Sequence, residues 1–331
     1  GSVMMAARTS PGRYGRSVSE PKVALVTCAT LPRLHEEDRP LVPALADRDV
    51  RAEAVVWNDP EVDWSAYDLA IVRSTWDYAT QPTAFIEWAR SVPRLLNPPN
   101  VLRWNTDKHY LQPLADHGLP VVDTRWLEPE RQFNKRDLHN RFPAREEFVI
   151  KPAISAGSMD TARYSVTAED RRRAIGHASR LLGEGRTVMV QRYVPEVEEF
   201  GEIALVFFHG TYSHAARKST ILKGTERADA GYYLQEELEP HRATREEIHA
   251  GQEILAFARA RIPGRSYSSR PLPYARVDLV PRRKGDPLLM ELELVEPSLF
   301  CSLESGAIER FADSIVAELR MGPDPANIDL A

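Results

Sequence analysis

The chain has 331 residues, of which 43% are hydrophobic, so it is long enough to form two or three domains that share extensive contacts. Its net charge of −5 and its pI near 6.1 argue against binding to nucleic acid through the overall field, and no apolar run reaches the ~20 residues that cross a bilayer. Cys28 and Cys301 lack metal-ligand spacing, so we expect reduced core thiols and a cytoplasmic protein. No nucleic-acid or membrane partner is expected, whereas a homo-oligomer is possible.

Residues 1–20 are polar and unpatterned, and are expected to be a tag followed by a flexible leader. Residues 21–103 alternate apolar runs with helical patterns, which is typical of a small doubly wound α/β domain. The elements predicted there are strands at Lys22–Cys28, Ala52–Trp57 and Leu69–Val72 and a helix from Pro82 to Arg90.

A run of polar and aromatic residues directly follows the third predicted strand. In doubly wound sheets ligands bind beyond the carboxyl ends of the strands, so this run is placed to hold a small amino-acid-like substrate. The alternative is an ordinary loop anchored by a tryptophan. The candidate substrate residues are Arg73, Ser74, Thr75, Trp76, Asp77 and Tyr78.

Residues 104–194 form the second predicted region. Asn105 is expected to cap a helix through Lys108, with a kink at Pro113. The strand Phe148–Pro152 carries Lys151 near its end and precedes small and hydroxyl residues whose N–H groups can approach an anion. With one glycine, this phosphate loop is a weak signal by itself. Further elements predicted are strands at Val121–Arg125 and Thr187–Gln191 and a helix at Ala168–Leu182.

Residues 195–331 form the third predicted region, which begins with a hairpin and ends with an amphipathic helix. The segment Ser219–Tyr233 is polar and contains two glycines, so we expect a mobile loop over a site. The other elements predicted are strands at Gly201–Phe208 and Thr211–Lys218 and helices at Arg245–Arg261 and Ala307–Arg320.

A second hairpin, Tyr274–Val280 with Leu288–Leu294, carries an unusual concentration of charge. Strand alternation and a turn near Lys284 set Asp278 opposite Glu291 and Arg276 opposite Glu293 on one face. Three carboxylates repel one another unless a cation lies among them, and hard oxygen ligands suit Mg²⁺ bound with nucleotide phosphates. The alternative is a surface hairpin with a ladder of salt bridges.

The order of these features resembles that of the ATP-grasp enzymes. A lysine on a helix, FVIKP, VQRYV and the carboxylate hairpin ARVD…MELE occur in sequence, and the likeness covers the chain from Lys22 onward. The resemblance implies an α/β and α+β fold of three domains (21–103, 104–194 and 195–331), with ATP clasped between the central and C-terminal units.

The resemblance also implies roles for single residues. Phosphates would meet Lys108, Lys151 and the loop residues Ser155, Gly157 and Ser158. The adenine slot would be lined by Gln191, Arg192, Tyr193 and Val194, and the ribose would be reached by Glu199 or Glu202. Mg²⁺ would be held by Asp278, Glu291 and Glu293, the last of which replaces an Asn found in many members and adds negative charge. Arg276 would face the transferring phosphoryl group.

Within the superfamily, the pieces VALVTCAT, VRSTWDY, HAARKS and MELELVEPSLF resemble the O-ureido-serine cyclo-ligases of D-cycloserine biosynthesis. This resemblance implies a ligase that uses ATP and Mg²⁺ to activate a serine-derived carboxylate and to close a ring. Arg217 and Lys218, or alternatively Arg73, would hold the substrate carboxylate, with Glu296 and Ser298 as further substrate residues. The alternatives are an intermolecular amino-acid or peptide ligase and a non-catalytic nucleotide-binding module, although retention of the lysines, the arginine and the carboxylates weighs against the last.

Overall fold

The computed structural model of the protein describes residues 19–219, 237–264 and 270–324, which form three β-sheets with helices packed on them. The expected tag and leader lie outside these ranges except for their last two residues, and so does the expected mobile loop beyond Ser219. Among the described residues, no helix combines the length and the hydrophobicity of a membrane span.

The first sheet is parallel, with the order β2-β1-β3-β4, and it confirms the predicted strands of this region. Helices α1 and α9 cover one face, and α2 and α3 cover the other, which explains why β1 and β3 are apolar at nearly every position. The elements are β1 (Lys22–Thr27), α1 (Leu41–Ala46), β2 (Arg51–Val56), β3 (Leu69–Ser74), α2 (Pro82–Ser91), β4 (Leu95–Leu96) and α3 (Pro99–Thr106), with α9 at Ala307–Met321.

The expected helix cap at Asn105 is wrong. Asn105 lies inside α3 and is buried, and its side-chain amide donates to the carbonyl of Leu292 and accepts from the N–H of Leu294. Helix α3 ends before Asp107, and the carboxylate of Asp107 caps a 3₁₀ turn at Lys108–Tyr110. The polar side chain of Asn105 is therefore used to join α3 to the carboxylate hairpin rather than to start a helix.

The second sheet is antiparallel, with the order β5-β8-β6-β7. Helices α5 and α6 cover one face, and Val149, Lys151 and Gln191 on the other face line a cavity. Pro113 lies in the first turn of α4, where its missing N–H has no helical partner to lose. The elements are α4 (Leu111–Asp116), β5 (Thr124–Leu127), α5 (Lys135–Arg141), β6 (Phe148–Pro152), β7 (Ala162–Tyr164), α6 (Ala168–Gly183) and β8 (Val188–Arg192).

The third sheet is antiparallel, with the order β11-β10-β9-β12-β13. Apolar residues of β9, β12 and β13 pack against α4 and α8 on one face, while Tyr274 on the other face packs against α9 and the first sheet. Arg276 and Asp278 share that second face with Tyr274. The remaining elements are α7 (Glu196–Phe200), β9 (Glu202–Phe208), β10 (Thr211–Lys218), β11 (Leu238–His241), α8 (Arg245–Arg261), β12 (Tyr274–Val280) and β13 (Leu288–Glu293).

A buried hydroxyl joins the first and third sheets. The Tyr274 hydroxyl lies within hydrogen-bond distance of the carbonyls of Val72, Leu96 and Val295, and it accepts from the N–H of Asn97 at 3.1 Å. Buried polar groups of this kind must be hydrogen bonded, so the contact fixes how the two sheets meet. Each sheet is formed by one of the three predicted regions, and the division of the chain into domains stays a prediction.

Candidate active site

A cavity of about 330 Å³ lies where the ends of β3, β6, β8, β10, β12 and β13 approach one another. Its wall is formed by residues of all three sheets or of the segments that follow their strands, as expected for a site that lies between structural units. The predicted site residues that line it are Trp76, Tyr78, Lys108, Lys151, Ser155, Gly157, Ser158, Gln191, Arg192, Tyr193, Val194, Glu202, Lys218, Arg276, Glu291, Glu293, Glu296 and Ser298.

The carboxylate hairpin has the predicted register: Asp278 is opposite Glu291, and Arg276 is opposite Glu293. Arg276 binds both acidic neighbours, with Nε 2.9 Å from Asp278 and Nη2 2.5 Å from Glu293. Lys218 from β10 lies 2.7 Å from Asp278. The face is therefore a ladder of alternating charges, and its cationic members come from two strands.

The three predicted metal ligands do not converge on one point. Asp278 is buried between Arg276 and Lys218 and does not line the cavity, whereas the accessible parts of Glu291 and Glu293 face the cavity. Over residues 19–219, 237–264 and 270–324, no three His, Cys, Asp or Glu side chains are close enough to hold a metal ion. Glu291 and Glu293 nevertheless offer hard carboxylate oxygens at the cavity wall, and this donor set fits Mg²⁺.

The pKa values of the carboxyls at the site are shifted in opposite directions. Burial alone would raise the pKa of Asp278, but Arg276 and Lys218 hold it well below its ordinary value. Burial, partly offset by Arg276, raises the pKa of Glu293 to about 7, and burial followed by repulsion from Glu293 raises the pKa of Glu296 to about 8. Glu293 and Glu296 are removed from bulk water, so a cation bound beside them would favour their ionised forms.

Two lysines, buried Lys108 and half-buried Lys151, reach the cavity from the central region. Lys108 Nζ lies 3.0 Å from Glu291 and donates to the Ser155 carbonyl at 3.1 Å. Lys151, on β6, has no hydrogen-bond or ion-pair partner within the described part of the chain, and burial lowers its pKa. An unpaired, half-buried ammonium beside carboxylates is suited to bind an anionic ligand such as a phosphate.

The loop after β6 approaches the same cavity. Gly157 and Ser158 both adopt left-handed conformations, with φ of 59° and 58°, and Ser155 lies beside Lys108. Asp160, at the end of the loop, is paired with Arg180 at 2.8 Å and with Arg186 at 2.7 Å. These pairs fix the loop to the following helix, so a phosphate-binding role is consistent with its position.

The predicted adenine residues lie together at the other end of the cavity. Gln191 Nε2 donates to Thr124 Oγ1 at 2.9 Å, which orients its amide. The Tyr193 ring stacks on the Arg163 guanidinium, whose carbon is 3.6 Å from the ring centroid. Val149, two residues before Lys151 on the same strand face, adds an apolar wall that strand alternation could have identified.

The two residues predicted to reach the ribose differ in position. Glu202 lines the cavity and pairs with Lys218, whereas Glu199 is exposed on α7 and pairs with Arg283 outside it. Only Glu202 is therefore positioned to contact a ligand.

Four of the six predicted substrate residues, Arg73 to Tyr78, do not line the cavity. Arg73 pairs with buried Asp38 at 3.0 Å, and the Ser74 hydroxyl donates to the same carboxylate at 2.7 Å. Asp77 accepts from Trp57 Nε1 at 2.9 Å. Thr75 is fully buried, and its hydroxyl has no hydrogen-bond partner in the described part of the chain. The expectation that these four grip substrate is therefore corrected, and Trp76 and Tyr78 remain at the cavity.

Arg217 also lies outside the cavity, contrary to its expected contact with the substrate carboxylate. It neighbours Lys218 on β10, and successive strand residues point to opposite faces. Its guanidinium donates to the carbonyls of Phe200 and Glu199 at 2.8 and 3.2 Å and so supports the start of β9. The cavity-facing cation of this strand is Lys218.

Sequence reasoning missed Asp38 and Phe300. Asp38 belongs to an acidic loop run and gave no sign that it would be buried against Arg73. Phe300 lies beneath Arg276, with the guanidinium carbon 5.1 Å from the ring centroid, and it lines the cavity. Both contacts join segments far apart in the chain, so no local pattern indicates them.

Comparisons with known proteins agree with this geometry. Residues 23–97 match the family model described as "D-cycloserine synthetase DcsG, N-terminal domain". The "Cycloserine biosynthesis protein DcsG" of Streptomyces lavendulae is 34% identical over 305 residues, which cover 90% of this chain and 99% of that protein.

Solved structures also match this chain. The crystal structure of D-cycloserine synthetase DcsG matches with a TM-score of 0.78 and 32% identity over 90% of this chain and 99% of that one. A RimK domain ATP-grasp protein from Sphaerobacter thermophilus matches with a TM-score of 0.60 at 18% identity, over 89% and 98% of the two chains, and shows the shared fold. The chain is therefore a ligase that has the ATP-grasp fold and belongs to the family of D-cycloserine synthetase DcsG.

Proposed function

We propose that the enzyme uses ATP and Mg²⁺ to activate the carboxylate of O-ureido-D-serine as an acyl phosphate, and that it then closes the ring of D-cycloserine. The observation that carries this proposal is that one cavity is lined by two lysines, by the charged face of the carboxylate hairpin and by the aromatic side chains of Trp76 and Tyr78. The printed name of the 34% identical relative supports the choice of product.

Activation is needed because a carboxylate is a poor electrophile: its negative charge repels nucleophiles, and oxide is not a leaving group. In the first step a carboxylate oxygen bonds to the γ-phosphorus of ATP while the bond from that phosphorus to the ADP oxygen breaks. The protein contributes little covalent chemistry to such a transfer and acts through alignment and charge neutralisation.

The charged residues divide this work between them. Lys108 and Lys151 bind phosphate oxygens, and Arg276 faces the transferring group. Mg²⁺, held by Glu291 and Glu293, would supply further positive charge for the phosphates. Lys108 lies 3.0 Å from Glu291 and Arg276 lies 2.5 Å from Glu293, so both cations are beside the carboxylates that would hold the metal and could also reach phosphate oxygens there.

Ring closure follows within the bound substrate. The oxygen-linked ureido nitrogen attacks the acyl carbon, phosphate leaves with the bonding electron pair, and the nitrogen loses its proton. Removal of the carbamoyl group then consumes one water and releases carbon dioxide and ammonia. Holding both reacting groups of one molecule in a folded conformer provides the main advantage, and the aromatic side chains of Trp76 and Tyr78 would help to shield the acyl phosphate from water.

The test is to incubate the enzyme with ATP, Mg²⁺ and O-ureido-D-serine and to follow ADP and D-cycloserine by mass spectrometry. O-ureido-L-serine serves as the stereochemical control, and ATP without substrate gives the background. We expect ADP and cyclic product to appear in equal amounts with the D isomer. Absence of the cyclic product, together with ADP release from an ordinary amino acid plus a free amine, would replace ring closure with intermolecular ligation.

A further inference from the structure

Most charged side chains that line the cavity are ion-paired with one another. Lys108 pairs with Glu291, Arg276 with Glu293, and Lys218 with Glu202. Within the described ranges, two cavity-lining groups have charged ends without a hydrogen-bond or ion-pair partner, and these are Lys151 and Glu296, both half-buried. An unpaired charge that is partly removed from bulk water is costly, so each implies a ligand group of opposite sign.

Lys151 is accounted for by the nucleotide phosphates, but Glu296 has no such counterpart. It follows the end of β13, and the main chain around it is held firmly. Trp76 Nε1 donates to the Glu296 carbonyl at 3.4 Å, and the buried Arg73 guanidinium donates to the carbonyl of Pro297. A side chain carried on a segment fixed from both sides is presented in a defined direction.

The surroundings of Glu296 indicate which cation it would bind. Trp76 and Tyr78 line the same cavity, and after burial it is the charge of Glu296 that most raises the pKa of the Tyr78 phenol. Mg²⁺ requires oxygen ligands and tightly held water, which an indole face does not supply. An alkylammonium, in contrast, is attracted to the faces of Trp and Tyr and forms charge-assisted hydrogen bonds with a carboxylate.

We propose that Glu296 binds the α-ammonium group of the amino-acid substrate, with Trp76 and Tyr78 forming the aromatic side of this subsite. The proposal rests on the proposed function, since it names how that substrate is recognised. It also explains how a side reaction is avoided. An amine held as ammonium has no free electron pair, so it cannot attack the acyl phosphate of another substrate molecule in place of the ureido nitrogen.

The experiment compares O-ureido-D-serine with 3-(carbamoylaminooxy)propanoate, which lacks only the amino group. Steady-state kcat and KM are measured for the wild-type enzyme, for Glu296→Gln and for Glu253→Gln, a matched change at an exposed position of α8. Thermal unfolding of each variant confirms folding, and Glu296→Asp tests whether a carboxylate one methylene shorter partly restores binding.

We expect the wild-type enzyme to favour the amino compound by about ten- to hundred-fold in kcat/KM, the loss typical of one charge-assisted hydrogen bond. Glu296→Gln should lose this preference by raising KM for the amino compound while leaving the desamino compound unaffected, and Glu253→Gln should behave as wild type. An equal loss for both compounds would overturn the proposal, because it would indicate a structural role or a metal ligand. A changed Mg²⁺ requirement in Glu296→Gln would do the same.

Failure of the proposed function is distinguishable from failure of this assignment. If the wild-type enzyme forms no ring but releases ADP with an ordinary amino acid and an amine, the comparison is made between that amino acid and its desamino counterpart. Loss of the preference in Glu296→Gln would then still support the ammonium site, and its retention would overturn it.

Discussion

Asp278 and Glu291 were both predicted to bind metal, but their different surroundings predict different effects on stability. Asp278 is buried between Arg276 and Lys218, and removing one member of a buried ion pair typically costs about 3–5 kcal/mol of unfolding free energy. In the part of the chain that the structure describes, Glu291 has one ion-pair partner, Lys108, and its side chain is 27% exposed. We expect Asp278→Asn to lower both turnover and stability, and Glu291→Gln to lower turnover by ~10²–10³ with a smaller loss of stability.

Turnover at saturating substrate and thermal unfolding of the two variants check this prediction. Glu253→Gln, on the exposed side of α8, is the control for loss of a carboxylate without loss of a site. Normal turnover of Glu291→Gln at limiting Mg²⁺ would mean that the hairpin is structural.

Lys151 permits a separate test of nucleotide binding because, within the described part of the chain, its side chain forms no ion pair that a substitution would break. Its burial lowers its pKa, so the folded protein gains no evident stabilisation from this charge. We expect Lys151→Ala to weaken ATP binding by about ten- to hundred-fold, the loss of one charge-assisted phosphate contact, with a much smaller effect on the amino-acid substrate. Calorimetric titration measures both, with exposed Lys284→Ala as the control. An unchanged Kd for ATP in Lys151→Ala would rule out the phosphate contact.

Among the secondary-structure elements, the hairpin that forms the centre of the site was predictable and the helix break beside it was not. Strand alternation and turn position are local properties, and they set Asp278 opposite Glu291 correctly. Asn105 resembled a helix cap because its side chain often plays that part, but here the side chain binds the backbone of β13 and of the residue after it. Short elements such as α7 and β7 present too few residues for any periodicity to be recognised.

Gly201 joins α7 to β9 in a conformation that other residues adopt with strain, with φ of 72° and ψ of −173°. A Cβ added there would lie 2.8 Å from the Lys218 carbonyl oxygen and 2.9 Å from Arg217 Nε. We expect Gly201→Ala to destabilise the protein by about 1–3 kcal/mol and to weaken ATP binding through displacement of the adjacent Glu202.

Gly176→Ala is the matched control, because Gly176 lies inside α6 with nothing within 4 Å of its added Cβ. This change should stabilise the protein by about 0.5–1 kcal/mol. Chemical denaturation measures both variants, and equal unfolding free energies would contradict the strained role of Gly201.

At the scale of the whole molecule, the contacts that join the sheets were beyond prediction. Arg73 was expected to meet the substrate, yet it is fully buried and bonds Asp38 and the Pro297 carbonyl, which is distant in sequence. Tyr274 likewise joins strand ends from two sheets. Such partners become neighbours only after folding. The sequence therefore predicts which chemical groups the site uses, whereas the assembled fold decides which of them face the ligand.

The raised pKa values of two carboxyls in the assembled cavity give the whole protein a predictable pH dependence. The pKa values of Glu293 and Glu296 are raised from 4.5 to about 7 and about 8. Between pH 4.5 and these raised values, the folded state therefore holds protons that the unfolded chain releases. Unfolding free energy contributed by these groups is present in full below pH 4.5 and is lost as pH rises toward 8. The depressed pKa of Asp278 acts in the opposite direction, but only at lower pH.

We expect the unfolding free energy of the ligand-free enzyme to fall more steeply between pH 4.5 and about 8 than that of the Glu293→Gln/Glu296→Gln double variant. The difference between the two curves removes contributions from His109, whose pKa the Asp107 hydrogen bond raises to about 9, and from His214, whose pKa burial lowers. Mg²⁺ with ATP should flatten the wild-type curve, because a bound cation favours ionised carboxylates. Urea denaturation at several pH values measures the slopes. Parallel curves would show that these carboxyls keep ordinary pKa values.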